Sequence, residues 1–247
     1  MKHLLESLKI LDDATLLDAY DHACKLPRPW RELALLAHAC GTDVQTLAQL
    51  PLGRRDELLL EWRAALFGSR FGCETRCPAC QERIEFSVDI DDLRSTEKGT
   101  VEDSIAYSGR GYALSFRLPN SADIAACSPA DDGRVLLQRC ITSAKQDERE
   151  LPPSLLPDEV RADVIARMNE LDPQAEIQMN MVCPECHAGW SSVFDGAEFF
   201  LREIAAYTGR LLMEVHQLAL SYGWREVDIL AMNPRRRRRY LELMGAS

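Results

Sequence analysis

Cys77-Pro78-Ala79-Cys80 and Cys183-Pro184-Glu185-Cys186 decide how the rest of the chain is organised. A Cys-x-x-Cys turn offers two sulfurs from one tight loop, and two such turns complete the tetrahedron that zinc prefers. Cys77, Cys80, Cys183 and Cys186 are therefore expected to hold one structural zinc ion. A shell of four sulfurs leaves no coordination position for a substrate. About one hundred residues separate the knuckles, far more than in an ordinary zinc ribbon, so the ribbon is split and clamps the base of an inserted lobe.

Two other readings of these cysteines exist. Cys183-Pro184-Glu185-Cys186-His187 also matches the attachment sequence of a c-type haem, but Gln81 stands where the first knuckle would need its histidine. A redox dithiol would sit at a helix N-terminus, whereas both knuckles run into strand-like sequence. Of the remaining cysteines, Cys24, Cys40, Cys127 and Cys140 lie among apolar neighbours and are expected in the core. Cys73 either packs beneath the site or replaces a ligand. This usage indicates a reducing compartment.

Working outward, Leu16, Leu17 and Tyr20, then Leu33, Leu35 and Leu36, then Leu58, Leu59, Trp62 and Leu66 recur at helical steps. They predict a helical N-terminal subdomain over 1–70. Ile84, Phe86, Val88 and Ile90 alternate as a strand after the first knuckle. Ile105 and Tyr107, Gly109-Arg110-Gly111, and Tyr112, Leu114, Phe116 and Leu118 read as a hairpin. Helices are expected after a Ser121-Ala122-Asp123 cap, over Gly133 to Thr142 and over Pro157 to Leu171. Ile177, Met179 and Met181 lead into the second knuckle, and Trp190, Val193 and Phe194 leave it. The split ribbon thus covers 71–198, with its lobe at about 100–174, and a C-terminal helical segment fills 199–247. The expected class is α+β.

In that last segment Leu201, Ile204, Leu211, Val215, Leu218 and Tyr222 form a seam with Thr208 in its one polar slot. The seam suits either a partner helix or packing on the chain's own domain, and the latter is favoured. Gly223 reads as a left-handed cap, Trp224 to Met232 as a short helix, and Asn233-Pro234 as the start of a last helix through Met244.

The net charge is −10, which argues against a general nucleic-acid surface, and no apolar run is long enough to span a membrane. Against this background Arg235, Arg236, Arg237, Arg238 and Arg239 stand together. Five consecutive residues exceed one helical turn and point around the helix. Placed in its first turns they oppose the positive helix end, at about 0.3–1 kcal/mol each. Their destinations are the chain's own carboxylates, an acidic protein face or nucleic acid. These arginines and Trp224 are the candidate partner-binding residues.

Catalytic residues are expected to be absent. There is no Gly-x-Ser-x-Gly elbow, phosphate loop, dinucleotide fingerprint or His-Glu-x-x-His motif. His3, His22, His38 and His216 are scattered singly.

The order of motifs resembles a known family. Arg31 to Leu36, Leu52 to Leu60, Phe67-Gly68, the two knuckles, Phe116 to Pro119, Phe194-Asp195, Glu214 to Ala219, Tyr222-Gly223-Trp224 and Arg236 to Leu241 carry the likeness. It is to phage baseplate proteins of the T-even (T-four) type, the hub assembly chaperones encoded with contractile tails and contractile injection systems. The likeness covers nearly the whole chain and is expected to be most specific from Glu203 to Leu241. It implies a non-enzymatic factor working through protein contacts with baseplate or hub proteins, in the bacterial or phage-infected host cytoplasm, or retained in the assembled particle. No small-molecule substrate or membrane is implied. The zinc reading rests on the cysteines and not on this likeness. The competing functional reading is a cytoplasmic nucleic-acid-binding zinc ribbon.

Overall fold

The computed structural model describes residues 7–94, 104–128 and 130–245; His3 and the expected start of the lobe near residue 100 lie outside them. The chain divides into two compact units, one formed by the segment up to Thr42 together with that from Ala197 onward, the other by Asp43–Gly196. The helices of the expected 1–70 segment are thereby shared between the units, because contacts and not chain order define a packed body.

The first unit holds α1 (Asp13–Ala23) and α2 (Trp30–Cys40). The Asp12 carboxylate caps α1 by accepting the Thr15 N–H at 2.8 Å. Gly41, with φ 63°, ends α2 in the left-handed conformation and donates its N–H to the Ala37 carbonyl. Leu16, Leu17, Leu33, Leu35 and Leu36 are buried. The same unit contains α9 (Gly196–Tyr222), α10 (Glu226–Leu230) and α11 (Pro234–Leu243).

The seam on α9 faces the interior. Leu201, Ile204, Thr208, Leu211, Val215 and Leu218 are all buried. Thr208 is tolerated there because its hydroxyl donates to the Ile204 carbonyl at 2.9 Å. Tyr222 leaves the seam and stacks on Trp224 with ring centroids 4.5 Å apart. Val215, Leu218, Ile229 and Leu241 make a small core with Trp224, Tyr240 and Met244 against it. Asn233 caps α11 through the Arg235 N–H at 2.9 Å, and Pro234 occupies its first turn.

The second unit begins with α3 (Val44–Ala48) and α4 (Leu52–Phe67), followed by the hairpin β1 (Arg70–Arg76) and β2 (Arg83–Asp89) and by α5 (Ile90–Leu93). Its lobe contains β3 (Ile105–Gly109), β4 (Tyr112–Phe116), α6 (Ser121–Ala126), α7 (Arg134–Cys140), β5 (Ile141–Gln146), β6 (Arg149–Glu150) and α8 (Asp158–Leu171). The hairpin β7 (Ile177–Val182) and β8 (Gly189–Phe194) completes it. Strands β3 to β6 form one antiparallel sheet in chain order, and each knuckle hairpin is a separate two-stranded sheet.

Several elements differ from expectation. Ile90, expected in the strand after the first knuckle, begins α5 instead, and Leu118, expected in the hairpin, lies beyond the end of β4. Strand β1 was not anticipated, although Phe71, Cys73 and Thr75 alternate against Val88, Phe86 and Ile84. The helix expected through Thr142 ends at Cys140, and Ile141 begins β5, which pairs with β4. Asn120, one residue before the expected cap, forms a capping box with Asp123.

The lobe has its own core of Leu114, Phe116, Leu137, Ile141, Val160 and Val164, among others. The buried Asp123 carboxylate takes Arg117 at 2.5 and 2.8 Å and Arg139 at 3.1 Å. Its acidity is thereby raised: burial opposes the charge, but Arg117, the Asn120 N–H and Arg139 outweigh it. The N-terminus of α4 is anchored by two contacts. The Leu52 N–H donates to the Pro119 carbonyl at 3.0 Å, and the Gly53 N–H donates to the buried Asp172 carboxylate at 3.0 Å. Glycine is required at 53, because a Cβ would lie 1.9 Å from Asp172 Oδ1.

Candidate metal centre

Each knuckle is the turn of a hairpin. In the first, the Cys77 N–H donates to the Glu82 carbonyl and the Gln81 N–H to the Cys77 carbonyl, both at 2.9 Å. In the second, the Cys183 N–H donates to the Ala188 carbonyl and the His187 N–H to the Cys183 carbonyl, both at 3.0 Å. Gln81 (φ 63°) and His187 (φ 59°) occupy the same left-handed position. One local structure is built twice.

The side chains that alternate on one face of each hairpin are the half-buried ones. Phe86 and Ile84 sit on β2, and Met179, Met181 and Trp190 on β7 and β8. Phe71 and Phe194 stack with centroids 5.9 Å apart, joining the two hairpins away from their tips. Val193, grouped in the sequence with Trp190 and Phe194, lies on the opposite, exposed face of β8.

At the tips the four sulfurs converge. Cys77 Sγ lies 3.6 Å from Cys186 Sγ, and Cys80 Sγ lies 3.6 Å from Cys183 Sγ. All four lie within 4.8 Å of one another. Zn–S bonds of about 2.3 Å in a tetrahedron require sulfur separations of about 3.8 Å, so the donor set fits such an ion. The contacts run crosswise, the first cysteine of one knuckle meeting the second of the other. Cys77 and Cys183 are buried while Cys80 and Cys186 are exposed.

The electrostatics of the thiols point the same way. The Cys80 N–H, outweighing burial, draws the Cys77 thiol down to about 7. The Glu82 N–H favours the Cys80 thiolate too, yet the crowding thiols of Cys186, Cys77 and Cys183, with burial, push it up to about 12. One thiolate in this cluster suppresses its neighbours. A bound dication is what lets all four ionise together.

The rival readings meet this geometry poorly. His187 is exposed and fills the turn position that Gln81 fills in the other knuckle, and the sulfurs of its motif are shared with Cys77 and Cys80. The knuckles also lie between antiparallel strands and not at helix N-termini, where a reactive dithiol would be activated. Cys73, half-buried on β1, is outside the four-sulfur group. Cys40 and Cys140 are core residues, with burial raising their thiols to about 11 and about 12. Cys24 and Cys127 correct the expectation of a buried set. They follow the last turns of α1 and α6, and Cys24 is exposed while Cys127 is half-exposed.

The candidate partner-binding residues divide. Arg237 is only 3% exposed; its Nε donates to Glu214 at 2.6 Å and its Nη2 to Asp13 at 2.7 Å. Asp13 also accepts the Tyr207 hydroxyl at 2.5 Å. Burial disfavours the Arg237 charge, but Glu214 and Asp13 more than restore it. Arg237 is therefore a structural ion and not a docking residue, because its guanidinium is buried with Nε and Nη2 on carboxylates of its own unit, Nη1 alone having no hydrogen-bond partner among the described residues. Trp224 is half-buried between Tyr222 and Tyr240. Arg235, Arg236, Arg238 and Arg239 are exposed. His22, His38 and His216 are exposed and are not members of the four-sulfur group.

No curated protein and no solved structure matches the chain. A family model described as the T4 bacteriophage base plate protein matches residues 33–201. That stretch contains both knuckles and the whole lobe and stops before α11, so the likeness expected to be most specific from Glu203 to Leu241 is found instead in the body of the chain. With most of its length matched, from α2 through both halves of the ribbon to the start of α9, the chain belongs to the T4 bacteriophage base plate protein family.

Proposed function

We propose that the chain is a non-enzymatic assembly factor of the baseplate hub in a contractile tail or contractile injection system, a chaperone or a minor retained component, acting through protein contacts. The family match over residues 33–201 carries this reading. The closed four-sulfur site supports it, since Cys77, Cys80, Cys183 and Cys186 would hold a zinc ion that stiffens the ribbon and offers no open position for chemistry. Rigidity suits a body that must present fixed surfaces to its neighbours. Its place of action is the cytoplasm in which such particles are built.

The test is deletion of the gene in its native particle-producing background, followed by electron microscopy and complementation. Loss of complete baseplates, restored by the wild-type gene, is the expected result; normal particles without it would end the proposal. Immunoblotting of purified particles then separates the two forms, a retained component being present in them and a departing chaperone absent.

A further inference from the structure

The arginine run is sorted by helix geometry into one inward and four outward residues. At 100° per residue, Arg237 shares a face of α11 with Tyr240, Leu241 and Met244, the residues packed against the small core of the first unit. Arg238, Arg235, Arg239 and Arg236 then fall within an arc of about 160° on the opposite face. Buried Arg237, gripped by Glu214 and Asp13, sets the rotation of the helix. A run that by sequence points all around the axis becomes a one-sided strip covering about 6 Å of helix rise.

That strip is not neutralised by the described residues of its own chain. Among the described residues Arg235, Arg236 and Arg238 make no side-chain ion pair. Arg239 has only exposed Glu242, at 3.7 Å, a contact of little energetic weight. The like charges repel and stand in the first turns of the helix, against its dipole. Leu243 lies on the same face and is 69% exposed. Guanidinium forks match carboxylates in bidentate geometry, and arginine is among the residues enriched at interface hot spots.

We propose that the outer face of α11 is a docking strip for an acidic protein surface, a row of carboxylates beside an apolar spot for Leu243. This deepens the assembly reading and rests on it. Phosphates are disfavoured because a chain of net charge −10 repels a polyanion outside the strip, whereas a protein partner brings only local negative charge. The strip is already ordered by the Asn233 cap, the Arg237 network and the aromatic packing of Trp224 and Tyr240, so binding loses little entropy there.

The experiment uses the full chain, a fluorescent ten-residue polyglutamate peptide and a ten-base-pair DNA duplex, read by anisotropy at low salt. The triple variant Arg235→Glu, Arg236→Glu, Arg238→Glu is expected to bind the peptide at least tenfold more weakly with unchanged circular dichroism. Arg202→Glu, an exposed control on α9, should bind as the wild type does. The strip proposal is overturned if the wild type ignores the peptide or if the triple variant binds it equally. Tighter binding of DNA than of peptide would make the strip a nucleic-acid site. Salt-sensitive self-association abolished by the triple variant would make a second copy its occupant. None of these readouts needs particles, so a chain that supports assembly in cells yet ignores the peptide removes the strip alone.

Discussion

Replacing Cys186 by serine tests the architecture most directly. The Cys80–Cys183 contact joins residues 103 positions apart, and closing a loop of that length removes about 4.7 kcal/mol of chain entropy from the unfolded state. Metal clips stabilise in the same way as other cross-links. Structural zinc binds with about 10–16 kcal/mol in small domains, so the loop term is a lower bound on what the clamp contributes to the Asp43–Gly196 unit. With about 2–4 °C per kcal/mol for a unit of this size, losing it corresponds to a fall of about 10–20 °C in Tm. Zinc per chain is measured by plasma mass spectrometry, and unfolding by urea through tryptophan emission, to which Trp62 and Trp190 of this unit contribute. Wild-type protein is expected to hold one zinc, and Cys186→Ser none, with the unfolding midpoint lowered accordingly. Cys77→Ser should behave as Cys186→Ser does, and Cys24→Ser, altered at an exposed thiol, should keep both metal and midpoint. A Cys186→Ser protein with one tightly held zinc and an unchanged midpoint would refute the shared site.

Two further expectations concern the anchoring of α4. Asp56 is raised to about 6 by burial, with Asp195 and Asp172 adding to the rise and Arg55 opposing it. The native state keeps this proton while the unfolded chain releases it near pH 4, so its stabilising contribution is complete below about pH 4 and lost by pH 6. The gap corresponds to about 3 kcal/mol; Asp56→Asn should therefore raise stability at pH 7.5 and not at pH 4 in paired urea titrations, and equal effects at both would contradict the assignment. Gly53→Ala places a methyl 1.9 Å from Asp172 Oδ1 and is expected to cost about 1–3 kcal/mol. An unchanged urea midpoint would show that Asp172 moves aside freely.

Family membership and the four-sulfur site bear on each other through the matched segment. Residues 33–201 include both knuckles, so the cross-link lies within the part of the chain that carries the likeness. Strip α11 lies beyond it, which makes the polyglutamate assay a test of a feature peculiar to the C-terminal end.

Much of this protein was legible from local pattern. Two Cys-Pro-x-Cys turns announced a common ligand set, because metal coordination demands the same bite wherever it occurs in the chain. Hairpin β3–β4 could be read from Gly109-Arg110-Gly111, and the inward seam of α9 from three- and four-residue steps, since side-chain direction follows from backbone period alone. Strand β5 escaped because Ile141 and Ala144, its buried positions, do not alternate. It is a strand through its pairing with β4, a non-local contact that no window of sequence contains. Cys24 and Cys127 escaped for a related reason: apolar neighbours do not say on which side of a helix end a residue emerges.

The arginine run shows the division most plainly. Sequence alone determined that five positive charges would ride on one short capped helix, since Asn233-Pro234 and the helical period are local facts. Which of them would be spent inside the protein was decided only when Asp13 and Glu214, distant in the chain, were brought to one point. Burial of a charge is tolerated solely where opposite charges meet it, and that meeting is a property of tertiary structure.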